Sequence, residues 1–97
     1  MTSVNDIDRL RGLLGSERIN ITRLADGSAV VLDLSGTQVL TLNRTGAYLV
    51  DQLLARQASD EQAMVQAMIN RFEVEPTVAA ADVAEFLAQL ASLLQQA

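Results

Sequence analysis

A chain of 97 residues, 49% hydrophobic and 20% charged, is the size of one domain with one modest core, mostly aliphatic because only 3% of residues are aromatic. It has no cysteine and no histidine, and all seven basic residues are arginine, which excludes disulfides, thiolate or imidazole chemistry and lysine Schiff bases. The net charge of −5 falls in the second half: residues 1–56 carry six Arg and six acids, whereas residues 57–97 set Arg71 against Asp60, Glu61, Glu73, Glu75, Asp82 and Glu85.

Carboxylates, hydroxyls and one phenol remain for catalysis, so an enzyme is not expected, nor is a cofactor or a metal. The opening MTSVNDIDRLRGLLG mixes acids with bases and lacks a signal-peptide core. No run of apolar residues approaches the roughly 20 that span a bilayer. The expectation is a soluble, cytoplasmic protein without a membrane partner.

In chain order, residues 3–14 read as a short helix with Ser3 as N-cap, Asp6 three residues on, and Ile7, Leu10, Leu13 and Leu14 at helical spacing before Gly15. From Ile19 the period shortens, with Ile19 and Ile21 alternating with Asn20 and Thr22 as in a half-buried strand. Asp26-Gly27 signals a hairpin turn, Ala29–Leu34 a second strand, Ser35-Gly36 a second turn and Thr37–Leu42 a third strand. In that strand Leu40 and Leu42 share one face and Val39 and Thr41 the other.

After Asn43, a plausible N-cap, Leu49, Val50, Leu53 and Leu54 form a helical stripe through about Arg56. Ser59-Asp-Glu-Gln starts another helix carrying Val65, Met68, Ile69 and Phe72. Pro76-Thr77 opens the last helix, with the stripe Val83, Phe86, Leu87, Leu90 and Leu94. The predicted fold is α+β and winged-helix-like: a three-stranded antiparallel meander followed by three helices. A short N-terminal helix or extension (residues 1–18) precedes the main domain (residues 19–97).

Val30 to Leu90 resembles the PqqD-like family, the precursor-peptide recognition element. The resemblance rests on the aliphatic strand Val30-Val-Leu-Asp-Leu34, on Leu42-Asn-Arg-Thr-Gly-Ala47, on the helix from Ser59 to Phe72-Glu-Val74, and on Asp82-Val-Ala-Glu-Phe-Leu-Ala-Gln-Leu90. Two features differ. Val39 and Leu49 stand where the family often carries aromatics, and the tail Ser92–Ala97 lacks the common Gly-Leu ending. The resemblance is therefore to the family and not to its pyrroloquinoline quinone pathway in particular.

The resemblance implies a non-catalytic chaperone that binds the leader of a ribosomally made precursor peptide. The leader would add a strand beside the third strand and lie against the last helix. Backbone pairing is expected at Gln38, Val39, Leu40 and Thr41, and helical-wall contacts from Val83, Phe86 and Leu90, with Leu87 turned into the core. The implied partners are the precursor peptide and a modifying enzyme such as a radical SAM enzyme, a cyclase or a leader peptidase. The chain itself would be a monomer or a weak homodimer.

Residue by residue, plainer roles compete. Val39, Leu40, Val83, Phe86 and Leu90 sit at spacings that ordinarily mean core. Asn43 reads as a cap, Gly46 as a close-packing position, Asp82 as a first-turn acid, and Asp60-Glu61 and Glu73/Glu75 as solvated surface. Two other functions share the architecture: a winged-helix DNA-binding module and a dimerisation domain using the same edge. The first is opposed by the last helix, which has Asp82 and Glu85 and no base, so no nucleic-acid partner is expected.

Overall fold

The computed structural model describes residues 4–34, 38–55 and 60–95. The elements are α1 (Val4–Leu14), β1 (Ile19–Arg23), β2 (Ala29–Asp33), β3 (Gln38–Leu42), α2 (Arg44–Leu54), α3 (Glu61–Phe72) and α4 (Pro76–Gln95). The expected α+β order is the observed one. The Ser3 cap, the Ser35-Gly36 turn and Ser59 lie outside the described residues.

Local chemistry accounts for the boundaries. Gly27, at φ 92, turns the chain between β1 and β2 in a conformation that L side chains avoid. The carboxylate of Asp26 accepts from the Ser28 amide at 2.9 Å and from its hydroxyl at 2.6 Å, closing the turn. Asn43 caps α2 by accepting from the Gly46 amide at 2.9 Å. Asp60 caps α3 by accepting from the Ala63 amide at 2.8 Å. Glu73 ends α3 in the left-handed conformation, φ 55.

The strands form one antiparallel sheet in the order β1-β2-β3. Its register pairs Ile19 with Asp33, and Ala29, Val31 and Asp33 with Leu42, Leu40 and Gln38. Ala29, Val31 and Leu42 are buried on the helix-facing side of the sheet. Against that face pack Ile7, Leu10 and Leu14 of α1, Leu49, Val50 and Leu53 of α2, Met64 and Met68 of α3, and Val83, Leu87, Leu90 and Leu94 of α4. α1 thus shares the core of residues 19–95.

By length and composition α4 could cross a membrane, but here it is a core helix. It touches α1, α2, α3 and β3, and its apolar stripe is what they cover.

Candidate functional site

The site begins with a question of backbone direction. In an antiparallel ladder, successive residues point their N–H and C=O alternately to the two neighbouring strands. The Leu34 amide donates to the Arg18 carbonyl at 2.8 Å and the Leu24 amide to the Ser28 carbonyl at 2.9 Å, which makes the even-numbered residues of β2 the ones bonded to β1. Ala29, Val31 and Asp33 therefore bond to β3, and they engage Leu42, Leu40 and Gln38.

That leaves Val39 and Thr41 with both backbone groups aimed away from the sheet. Among the described residues no strand lies beyond them, because β3 is an edge. Two N–H and two C=O groups are thus presented to an incoming strand. Val39 is 59% exposed, and its side chain lies on the open face of the sheet. Gln38 and Thr41 are exposed and Leu40 is half-buried toward the core.

α4 runs beside this edge and leaves a groove in two parts. One part, of about 410 Å³, is lined by Gln38, Val39 and Leu40 on the strand and by Ala88, Gln89, Ser92 and Leu93 on the helix. The other, of about 530 Å³, continues past Thr41, Leu42 and Asn43 to Asp82, Glu85 and Phe86, with Asp26 and Ser28 of the β1–β2 turn at its rim. Among the described residues, none of α1 lines either part.

The groove thus joins strand residues Gln38 to Thr41 to Phe86, which is 4% exposed and forms part of the floor. Val83 and Leu90 stand elsewhere. Both are fully buried in the core and line neither part of the groove. The helical wall is carried instead by the neighbouring stripe Glu85, Gln89 and Ser92, with Leu93 at its foot, and Gln89 donates to Glu85 at 3.4 Å. The reason is geometric: at about 100° per residue, one stripe of α4 serves the core and the adjacent one faces the strand.

Two further arrangements hold the groove in shape. A Cβ on Gly46 would lie 3.1 Å from Leu42 Cβ and Cδ2, so the Asn43-Arg-Thr-Gly-Ala segment brings α2 tightly against the end of β3. At the other end, Arg18 reaches the buried carboxylate of Asp33 at 3.4 Å and donates to the Leu94 carbonyl at 3.3 Å, tying the β2–β3 end of the sheet to the last turns of α4. Sequence reasoning passed over this pair, although an acid at an inward-facing strand position was its signal.

Comparison with solved structures gives two close folds. "TbiB1 in Complex with the TbiA(beta) Leader Peptide" superposes with a TM-score of 0.64 at 21% identity, over 79% of this chain and 86% of that one. "Lasso peptide synthetase B1 complexed with the leader peptide" does so with a TM-score of 0.63 at 28% identity, over 79% and 87%. Comparison with curated proteins finds no match. The family model of coenzyme PQQ synthesis protein D (PqqD) matches residues 28–93, which run from the start of β2 to the groove-lining Leu93 of α4. The chain belongs to the PqqD family.

Proposed function

We propose that this protein binds the leader segment of a ribosomally made precursor peptide along β3 and presents it to a peptide-modifying enzyme, without forming or breaking bonds itself. The observation that carries the reading is the outward backbone of Val39 and Thr41 beside an open groove. The two solved structures compared above are leader-peptide complexes, in keeping with it.

The energetics suit a carrier. Four backbone hydrogen bonds at a net 0.5–1.5 kcal/mol each contribute about 2–6 kcal/mol. Ordering a disordered leader opposes that gain. Two apolar leader side chains, each adding about 1.5–3 kcal/mol on burial, bring the balance near the −8 kcal/mol of micromolar binding. The strand edge would supply affinity and the groove between Leu40, Phe86 and Leu93 selectivity, the usual division in β-strand addition. Docking on an enzyme would then raise the local concentration of the core peptide at its active site.

The test is titration of a fluorescent leader peptide into the protein. Saturable binding that weakens at least about tenfold when the groove is filled by Ser92→Arg supports the reading, and binding indifferent to that change contradicts it.

A further inference from the structure

A second cleft lies between the β1–β2 turn, α2 and the end of α3, on the other side of Ser28 from the groove. It has a volume of about 280 Å³ and is lined by Arg23, Arg44, Arg71, Tyr48, Phe72 and Asp51 among others. Three of the chain's seven cations thus converge from three separate elements, in a protein whose net charge is −5.

Their placement is built by packing. The stem of Arg44 lies across Gly27, where a Cβ would stand 3.1 Å from Arg44 Cγ and 3.3 Å from Nε. Arg71 sits over the Phe72 ring, 5.2 Å from its centroid, and Phe72 meets Tyr48 edge-on at 5.4 Å. Of the acids, Asp51 lines the cleft and pairs with Arg23, while Asp26 is engaged by Ser28 and also feels the charge of Arg44. Among the described residues neither Arg44 nor Arg71 has a carboxylate within ion-pair distance.

We infer that this cleft is a docking site for an acidic, extended segment of a partner protein, in which carboxylates meet Arg44 and Arg71 and an apolar side chain rests on Tyr48 and Leu24. A guanidinium stacked on a ring, as Arg71 is, and one whose stem is packed on the turn, as Arg44 is, are suited to bidentate carboxylate recognition. Charge complementarity selects the occupant: three arginines against the single lining carboxylate of Asp51, in a chain of net charge −5, favour an acidic segment here. The cleft shares Ser28 with the leader groove but no residue of the β3 edge, and Arg44 and Arg71 line neither part of that groove.

The experiment titrates the ¹⁵N-labelled protein with an acetylated, amidated octapeptide of alternating Glu and Leu, and with its Gln-Leu counterpart. Shift changes gathered at Gly27, Arg44, Tyr48 and Phe72 for the Glu peptide, weakened about tenfold or more in the double variant Arg44→Gln/Arg71→Gln, are the expected result. The variant's own dispersed spectrum verifies its fold, since both side chains are exposed. Equal response to the Gln peptide, changes confined to β3 and α4, or an unaffected double variant would overturn the inference.

Discussion

Arg18 and Asp33 meet at 3.4 Å beneath the last turns of α4, with the carboxylate fully buried and the guanidinium side chain 29% exposed. Asp33 is the register partner of Gln38, the first residue of β3. The pair, together with the bond from Arg18 to the Leu94 carbonyl, fixes the helical wall of the groove relative to its strand. Arg18→Met, which removes the Arg18 charge beside the buried carboxylate, is expected to cost about 3 kcal/mol in urea denaturation. An unchanged midpoint would show that the pair does not clamp the groove.

The outward direction of alternate β3 residues makes a sharp contrast between neighbours. Val39→Pro removes an amide that bonds nothing within the sheet, an arrangement proline tolerates on an edge. Such a variant should fold and bind a leader about two- to twelve-fold more weakly, the equivalent of one hydrogen bond. Leu40→Pro removes a bond to Val31 and should lose about 2–4 kcal/mol of stability. Circular dichroism and leader titration on the two variants decide it, and the reverse ranking would show that the parity is misassigned.

On α4 the same logic separates core from wall. Val83→Asp places a carboxylate at a fully buried position and should destabilise the protein by about 4 kcal/mol or more, abolishing the fold. Ala88→Arg and Ser92→Arg lie at exposed positions and should keep the melting temperature while weakening leader binding at least about tenfold. If Val83→Asp folds normally, the burial of that face is wrong.

How far the sequence reveals this follows from where each signal resides. Alternation placed Val39 and Thr41 opposite Leu40 and Leu42, Asn43 marked a helix start through its side-chain acceptor, and Pro76 marked another through its fixed φ at the first helical position. The site was only half legible. A periodic apolar stripe is the mark of a core face, so Val83 and Leu90 drew attention, whereas the groove wall of Ala88, Gln89 and Ser92 is small or polar and carries no apolar signature. α3 is capped by Asp60, one residue past the Ser59 that opened the predicted capping sequence, because aspartate and serine offer the same acceptor. The convergence of Arg23, Arg44 and Arg71 depends on tertiary packing and leaves no trace in linear spacing.

The β1–β2 turn carries a pH signature. The Ser28 hydroxyl, followed by the Ser28 amide, holds the Asp26 carboxyl below its ordinary value of 3.8. Because the folded value is depressed, the contribution to the turn is present above pH 3.8 and disappears as pH falls through the lowered value. A ¹³C carboxyl titration should place Asp26 below 3.8, and Asp26→Ala should remove the effect on the Ser28 amide shift. An Asp26 that titrates at or above its ordinary value would contradict the turn geometry.

If the free margin of β3 receives a peptide strand as proposed, amide hydrogen exchange along β3 will record it. On saturation with leader peptide, the Val39 and Thr41 amides should slow markedly while the Leu40 amide, already bonded to β2, changes little. Saturating binding that leaves Val39 and Thr41 exchanging as fast as in the free protein would contradict the account.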